Sequence, residues 1–549
     1  MTPDRPGEDL HNLSGSHLFR HAAESLVLLA IAVVLFRGFA LEGYLISTGS
    51  MAPTLLGYHH DVICPECGFR FARGATQIPD DEQVRFAQGA YDFGLDQATE
   101  IRCPNCSLTG IHFHEFPRTE GDQLLVHKHA YEFRDPRRWE VVVFRNPGDP
   151  RQAYVKRVAG LPGETISIEQ GEVFANGQLC RKPYEQQHSM RVPVSRFENQ
   201  LGTGDPDGQP GWYCLSRHSQ WQRHEARLTF TPSAEQSSLQ TDWIAWRHWI
   251  RAGGKHVSEV SLPVWPEDVD LPEAGIFPLE YRDGRLRCTG VLTDVDRRAW
   301  LARSDDPAFH AALEELAMNS HIAPVVDESG YNSVDDDRAQ IVDEFCVTLD
   351  VEQISGAGRF EVQLADSENE FRAVFDFSRN EVSLLRNDDP VPVRQVPFTP
   401  SDSRRHMRLE FSLFDDQALL AVNGREVFEP FAYSSSGKMK TVTKPVQFGA
   451  QGLSCEVANL ELSRDVYYVS RPDRSPGPIT LKTGEFFVLG DNSPVSVDSR
   501  VWDQPAVPRS AFIGKPLVVH LPSTARRFHW NGTAHDVRLP DFSRARLIH

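Results

Sequence analysis

Hydrophobic residues concentrate in one uninterrupted run near the start of the chain. Residues 26–36 are all apolar, and small or apolar neighbours extend the stretch to the roughly 20 residues that a membrane span requires. The pattern predicts a transmembrane helix over residues 21–41, preceded by a polar tail over residues 1–20. A cleaved secretory signal is the alternative, although no small-x-small cleavage pattern clearly follows. The flanking charges leave the orientation open.

From Gly121 onward, apolar and polar residues alternate in short runs that are typical of β-strands. The dipeptide Asn176-Gly177 predicts a hairpin, because both residues readily adopt the positive φ angles of a two-residue turn. This region is therefore expected to be an antiparallel β structure. The strand-like runs are residues 123–128, 139–144, 153–158 and 164–168.

Alternation returns strongly over residues 338–468, with a second Asn-Gly hairpin at Asn423-Gly424. Many short strands at this spacing predict a two-sheet sandwich. Residues 345–467 are similar to concanavalin-like and laminin-G-like jelly rolls, and no ligand is readable from this resemblance. Residues 201–337 are expected to be irregular and rich in tryptophan, with one helix near Ala308–Asn319.

The composition is that of a globular protein rather than a disordered one. The chain has 549 residues, of which 40% are hydrophobic and 24% charged. Its formal charge of -19 argues against a nucleic-acid partner, since phosphate binding needs a concentrated basic face. Several domains, each with its own core, fit this length.

Two Cys-x-x-Cys pairs bracket the segment from 59 to 118. They are Cys64–Cys67, which a glycine follows, and Cys103–Cys106. Four thiolates at this spacing predict a zinc-ribbon-like site with a structural zinc, because no position is left for water. Two disulfides are the alternative in an oxidising compartment.

A serine and a lysine carry the candidate chemistry. Ser50 lies in the segment Thr48-Gly49-Ser50-Met51-Ala52-Pro53, and Lys156 lies in the apolar strand that contains Tyr154 and Val158. A serine hydroxyl needs a base, and a lysine serves as one only when burial makes its amine neutral near pH 7. On a strand, Lys156 and Arg157 point to opposite faces, so one reaches the site and the other meets solvent or an acid.

A third motif runs from Gly490 to Arg500 and contains Asp491, Ser496 and Asp498. Asp498 and Arg500 lie two positions apart on one strand, and therefore on the same side, where they can form an ion pair.

These three motifs, in this order, resemble those of type I signal peptidases. The resemblance implies that Ser50 is the nucleophile and Lys156 the general base, without any catalytic cofactor. It implies Thr48 as an oxyanion donor beside the Ser50 backbone N–H. It further implies that Ser496 orients the lysine, while Asp491, Asp498 and Arg500 support the site. The sequence Asn492-Ser493-Pro494-Val495-Ser496 departs from the commoner wording of the family's last motif.

The fold predicted from these patterns is mainly β. A signal-peptidase-like antiparallel β core follows one transmembrane helix and carries a zinc ribbon and a jelly-roll-type β-sandwich as insertions. The predicted units are the polar tail 1–20, the transmembrane helix 21–41, the core parts 42–58, 119–200 and 469–525, the ribbon 59–118, the irregular segment 201–337, the sandwich 338–468 and the C-terminal tail 526–549.

The predicted function is that of a membrane-bound serine endopeptidase that cleaves signal peptides from exported preproteins. Its partners would be signal peptides and the lipid bilayer, with the catalytic domain on the outer face of the cytoplasmic membrane. The alternative is a membrane-tethered protein that binds a glycan or protein on an inactive peptidase-like scaffold. A self-cleaving repressor is a further option, against which the predicted anchor and the lack of a DNA-binding helix pair argue.

Overall fold

The structure is a computed structural model, and its secondary structure is mainly β. The described residues are 13–39, 41–75, 100–106, 108–148, 150–200, 211–232, 240–271, 279–332, 339–398, 406–436, 442–469, 477–531 and 533–548.

The first described element is the helix Leu13–Phe39, which contains the apolar run. Arg20 and Glu24 form an ion pair on this helix at 2.7 Å. The part of the helix before residue 26 therefore includes polar residues, and the uninterrupted apolar run covers only residues 26–36. Among the described residues, no helix is both long enough and apolar enough to cross a membrane. The transmembrane helix predicted over residues 21–41 is therefore not found.

An eight-stranded antiparallel sheet brings together segments from both ends of the chain. Strands Ala153–Gly160 and Glu485–Leu489 are neighbours in it, although more than 300 residues separate them. Apolar side chains on alternate positions, such as Leu124 and Val126, form its core. The strands are, in spatial order, Leu41–Leu45, Gln123–His127, Phe512–Val519, Val141–Arg145, Ala153–Gly160, Glu485–Leu489 and Ala506–Pro508, with Arg546–Leu547 beside Phe512–Val519.

A smaller four-stranded sheet contains the predicted Asn176-Gly177 hairpin, which is confirmed. Both residues have positive φ angles, 53° and 76°. The strands are, in spatial order, Gln178–Leu179, Glu172–Ala175, Thr165–Glu169 and Ile479–Thr480.

The largest sheet has fourteen strands, organised around the long pair Phe345–Ala365 and Val446–Arg464. The second Asn-Gly hairpin joins two of its strands, as predicted. The segment predicted to be irregular, 201–337, contributes four strands, because its tryptophans Trp212, Trp221 and Trp246 pack into the same core. The other strands are Val192–Arg196, Trp212–Cys214, Trp221–His224, Arg227–Phe230, Asp242–Trp246, Glu370–Asp376, Glu381–Arg386, Arg394–Pro397, His406–Phe414, Gln417–Val422, Arg425–Glu426 and Phe431–Ala432. The jelly-roll topology and the domain boundaries stay predictions.

Two helices pack on a three-stranded sheet within residues 257–320. The helix predicted near Ala308–Asn319 is observed as Pro307–Ser320, and the Asp306 side chain caps its first amides, Ala308 and Phe309. The other elements are the helix Asp294–Leu301 and the strands Val257–Ser261, Leu279–Arg282 and Arg285–Thr289.

The cysteine-rich segment and the end of the chain form small sheets that lie against each other. The tail predicted over residues 526–549 is instead a hairpin, and Thr524 donates a hydrogen bond of 2.7 Å to Asp61. The strands are His59–Ile63, Arg70–Gly74, Arg118–Thr119, Glu100–Ile101, Ile111–His112, Ser523–Trp530 and Thr533–Pro540. The remaining helices are Ala130–Phe133, Tyr184–Met190, Phe113–Glu115, Phe197–Gln200, Arg509–Ala511 and Phe542–Arg544.

A buried lysine joins the four-stranded sheet to the large sheet. Lys182 donates to Asp465 at 2.7 Å and also contacts the carboxylate of Asp415. Burial disfavours its ammonium group, but the two carboxylates outweigh this effect and hold the pKa of Lys182 well above the ordinary value. The two units are therefore fixed to each other by a charged, desolvated contact.

Candidate active site

Ser50 lies in a tight turn that follows the first strand of the eight-stranded sheet. The Ala52 N–H donates to the Gly49 carbonyl at 3.0 Å, and the Leu55 N–H donates to the Met51 carbonyl at 2.8 Å. Met51 and Leu55 are buried in the sheet's core, whereas Ser50 remains partly exposed. The apolar residues thus anchor the turn and leave the serine accessible.

Lys156 is buried on the strand Ala153–Gly160, with 3% of its surface exposed. Its Nζ donates to Ser496 Oγ at 3.1 Å. Burial lowers the pKa of Lys156 to about 8, although Asp498 opposes this shift and Arg500 adds to it. A useful fraction of the amine is therefore neutral, and able to accept a proton, at mildly alkaline pH.

Gly490 brings the serine turn and the lysine's partner together. A Cβ atom at this position would lie 2.2 Å from Ser496 Oγ and 2.4 Å from the Ser50 carbonyl oxygen, so only glycine permits the approach. In the described contacts Lys156 Nζ bonds to Ser496 and not to Ser50. Catalytic hydrogen bonds often tighten only when substrate binds.

The predicted Asp498–Arg500 pair is formed and buried. Arg500 Nε donates to Asp498 Oδ1 at 2.9 Å, and a second guanidinium nitrogen donates to Oδ2 at 2.8 Å. Asp498 Oδ2 also accepts the Gly490 N–H at 3.0 Å. Burial disfavours the carboxylate, yet Arg500 holds the pKa of Asp498 below its usual range. The pair therefore fixes the loop on which Ser496 lies.

Asp491 pairs with a residue that the sequence analysis did not assign to it. Arg157, the neighbour of Lys156, donates to both Asp491 oxygens at 2.8 and 2.7 Å, and both side chains are fully buried. Of the two expected surroundings of Arg157, solvent or an acidic residue, the structure shows the acidic residue.

Thr48 is the least closely integrated of the predicted site residues. Its side chain is exposed, and its Oγ1 lies 3.5 Å from Ser50 Oγ. In the described hydrogen bonds the Ser50 N–H donates to no other group. Both predicted oxyanion donors thus lie beside the nucleophile, and their role stays a prediction.

Sequence reasoning missed Asp122, which fixes the end of the serine turn. This carboxylate is buried and accepts the Leu56 N–H at 3.0 Å, and Arg544 donates to it at 2.9 Å. Nothing in the sequence besides its place after Gly121 points to this role.

The sequence analysis also gave no role to Asn332 and Asn492. Asn492 donates to the Gly49 carbonyl, and Asn332 donates to Asn492 without belonging to any motif.

The four cysteines form a separate cluster, as predicted. Cys64 and Cys106 have their sulfurs 3.6 Å apart, Cys67 and Cys103 3.7 Å, and all four sulfurs lie within 4.8 Å of one another. These distances exceed the roughly 2.05 Å of a disulfide bond. Four convergent thiols fit a tetrahedral zinc ion.

Asn105 attaches this cluster to the large sheet. Its amide donates to Cys67 Sγ at 3.6 Å, while its oxygen accepts from Ser195 Oγ and from the Arg196 N–H. Such a contact orients a metal-binding thiolate and supports its charge.

Comparison with known proteins indicates the class of protein that this arrangement resembles, a serine peptidase, which is a hydrolase. A family model for signal peptidase, peptidase S26, matches residues 117–240 and 414–521. Lys156, Ser496, Asp498 and Arg500 lie inside these ranges, whereas Ser50 lies outside them.

Curated relatives carry the name signal peptidase I. A probable signal peptidase I-2 from Synechocystis is 41% identical over 70 residues, which are 12% of this chain and 32% of the relative. Signal peptidase I from Pseudomonas aeruginosa is 33% identical over 99 residues, which are 16% of this chain and 35% of the relative. The chain spans about a third of the length of these relatives. This chain is thus similar to signal peptidase I, which is a serine peptidase.

Among solved structures, galectin LEC-6 from Caenorhabditis elegans is similar over 21% of this chain and 81% of the galectin chain. The sequence identity is 15% and the TM-score 0.17. A likeness at that score carries no argument about the large sheet.

Proposed function

We propose that this chain is a serine endopeptidase that removes signal peptides from preproteins, with Ser50 as nucleophile and Lys156 as general base. The observation that carries the proposal is the buried Lys156 amine, whose pKa is lowered to about 8, bonded to Ser496 beside the Ser50 turn. The similarity to signal peptidases I supports the substrate class.

The reaction would begin when the neutral Lys156 amine takes the proton of Ser50 Oγ. The oxygen then attacks the scissile carbonyl and forms an acyl-enzyme, and the leaving amine takes a proton from Lys156. In the second half, the same amine activates the water that releases the signal peptide. Ser496 Oγ, 3.1 Å from Nζ, would hold the amine in place in both halves.

The negative oxygen of the tetrahedral intermediate would be bound by the Ser50 N–H and the Thr48 hydroxyl. Thr48 Oγ1 already lies within 3.5 Å of the nucleophile. Losing one such donor typically costs about 3 kcal/mol of activation free energy. The side chains described here need no cofactor for these steps.

The cysteine cluster would hold a structural zinc ion. All four thiols would be ligands, which leaves no open position for water, so the metal would stabilise the segment rather than take part in cleavage. The lipid contact and the location at the outer face of the cytoplasmic membrane stay predictions from the sequence.

The test is cleavage of a synthetic peptide with an Ala-x-Ala site by the full chain in detergent. Wild-type protein is expected to cleave it, and Ser50→Ala and Lys156→Ala are expected to be inactive with unchanged thermal unfolding. Ser167→Ala, at a half-buried strand position, and Lys482→Ala, at an exposed position, change residues outside the site and are the matched controls. Turnover by Ser50→Ala would refute the assignment of the nucleophile, and an inert wild-type protein would favour the rival reading of a binding scaffold.

A further inference from the structure

A short segment near the end of the region predicted to be irregular, 201–337, reaches the turn that carries Ser50. It consists of residues 327–332, between the helix Pro307–Ser320 and the long strand Phe345–Ala365, and we call it the clasp. It lies outside both ranges that match the peptidase family. Whatever it does for the site is therefore a feature of this chain's own insertion.

Tyr331 packs directly on the backbone of the turn. A Cβ atom at Gly49 would lie 2.0 Å from the Tyr331 ring, and one at Gly74 would lie 2.5 Å from it. The phenol donates to the Tyr58 carbonyl at 2.9 Å, and the Tyr331 carbonyl accepts the Gly74 N–H at 2.9 Å. The ring thus occupies the space beside Gly49 that a side chain there would fill.

The same ring also contacts residues just beyond the nucleophile. Tyr331, which is 4% exposed, forms a buried apolar cluster with Ala52 and Leu56. Both ends of the turn that carries Ser50 therefore rest on one aromatic side chain.

Asn332 reaches the turn through Asn492. The two side-chain amides exchange hydrogen bonds of 2.6 and 2.9 Å, and both residues are buried. Asn492 then donates from its side chain to the Gly49 carbonyl at 2.9 Å and from its backbone to the Ser50 carbonyl at 3.1 Å. Asn332 therefore fixes which way the Asn492 amide faces, and with it two carbonyls of the turn.

The clasp is itself anchored to the large sheet. The Asn332 N–H donates to the Ser329 carbonyl at 3.1 Å, and Arg464 donates to the Glu328 carbonyl at 2.9 Å. The Asp327 N–H donates to the Gln340 carbonyl at 2.9 Å. A firmly held support of this kind can position the residues it touches.

We propose that Tyr331 and Asn332 are positioning residues, which hold the Ser50 turn in the geometry that the attack on the peptide requires. The inference rests on the proposed function, because it concerns the same nucleophile. It adds that the clasp, which lies outside the matched family ranges, contributes to the geometry of the catalytic site. Neither residue contacts Lys156 Nζ in the described contacts, so the direct contacts of the clasp are with the serine turn and with Asn492.

The variants Asn332→Ala and Tyr331→Phe test this in the full chain. Misplacing a reacting group by about 1 Å can cost about 100-fold in rate, so we expect kcat to fall about 10- to 100-fold in Asn332→Ala. KM is expected to stay within about twofold, since the contact does not involve the substrate. Tyr331→Phe keeps the ring on Gly49 and loses only the bond to Tyr58, so its loss is expected to be smaller, about threefold.

Two control variants match these changes away from the turn. Asn369→Ala removes an equally buried asparagine of the large sheet, and Tyr281→Phe removes a phenol bonded to the Pro263 carbonyl. Both are expected to keep the wild-type kcat. The pH midpoint of kcat/KM is expected to be the same in Asn332→Ala and wild type, because Lys156 is untouched.

Hydrogen exchange of the backbone amides over residues 49–57 gives a readout that does not need activity. Asn332→Ala is expected to exchange these amides faster than wild type, while Asn369→Ala does not. Unchanged exchange, or faster exchange with unchanged kcat, would overturn the positioning role. A third outcome is that Asn332→Ala exchanges faster but the wild-type protein cleaves no peptide. This would refute the proposed function, while the contact by which Asn332 stabilises the turn would still be supported.

Discussion

Arg157 and Asp491 form a two-bond ion pair that is fully shielded from water, at 2.8 and 2.7 Å. Arg157 directly follows Lys156 on the strand, and Asp491 directly follows Gly490 on the loop beside Ser50. The pair therefore ties the strand of Lys156 to the loop that contacts Ser50.

Breaking this pair on one side should destabilise the fold strongly. Arg157→Ala leaves the Asp491 carboxylate buried without its partner, which typically costs about 3–5 kcal/mol. The double variant Arg157→Met/Asp491→Leu removes both charges and should recover much of that loss. Urea unfolding measures both values, and the exposed pair of Arg285 and Glu259 gives a control, since Arg285→Ala should cost less than about 1 kcal/mol. Equal losses for the two arginine variants would contradict the argument.

The cleavage rate should depend on pH through Lys156. Only the neutral amine accepts the Ser50 proton, so kcat/KM should rise with pH and reach half its maximum near the Lys156 pKa of about 8. Asp498 raises that pKa, so Asp498→Asn should move the midpoint to lower pH. Initial rates between pH 6 and 10 measure both midpoints. A shift of the Asp498→Asn midpoint to higher pH would show that this electrostatic account is wrong.

The lysine that serves catalysis should weaken the fold at neutral pH. The pKa of Lys156 is about 8 in the folded chain and 10.5 in the unfolded one, so the unfolded chain binds the extra proton between these values. The resulting penalty is full below pH 8 and disappears as pH rises toward 10.5. By this linkage alone, Lys156→Met should be more stable than wild type by about 3 kcal/mol at pH 7 and by about 1 kcal/mol at pH 10. Denaturant unfolding at the two pH values tests the trend, and a gap that widens with pH would refute it.

Removal of metal should unfold the cysteine segment. Purified protein is expected to hold about one zinc per chain, and Cys67→Ser should lose it, because three thiolates bind zinc less tightly than four. Cys180→Ser changes a buried free thiol outside the cluster and should keep the metal. Metal analysis with thermal unfolding before and after chelation measures both effects, and zinc-free wild-type protein with free thiols would contradict the assignment.

Local signals in the sequence were sufficient for two hairpins, one helix and part of the site. The Asn-Gly pairs at 176 and 423 specify their hairpins by backbone preference alone, and both are observed. Ser496, Asp498 and Arg500 were predicted from one shared motif. The structure places them in a loop rather than on the predicted strand, where Ser496 accepts a hydrogen bond from Lys156 and Asp498 pairs with Arg500.

Long-range contacts were beyond reach because no local pattern encodes them. Asn332 meets Asn492 across 160 residues, and Arg157 meets Asp491 across 334. The segment that holds Trp212, Trp221 and Trp246 is predicted to be irregular because its strands are short and join the large sheet through the distant strand Val446–Arg464. The apolar run was read as a membrane span from its composition, while the helix that contains it also includes the polar residues before it.

The carbonyls of Gly49 and Ser50 accept hydrogen bonds from Asn492, and Tyr331 covers Gly49. A ribosome makes the serine early and these supports hundreds of residues later. The nascent polypeptide therefore carries an unsupported Ser50 turn for most of its synthesis. On the proposed function, hydrolytic competence would arise only when translation has passed the last supporting loop. The order of the chain thereby delays the enzyme until its surrounding structure exists.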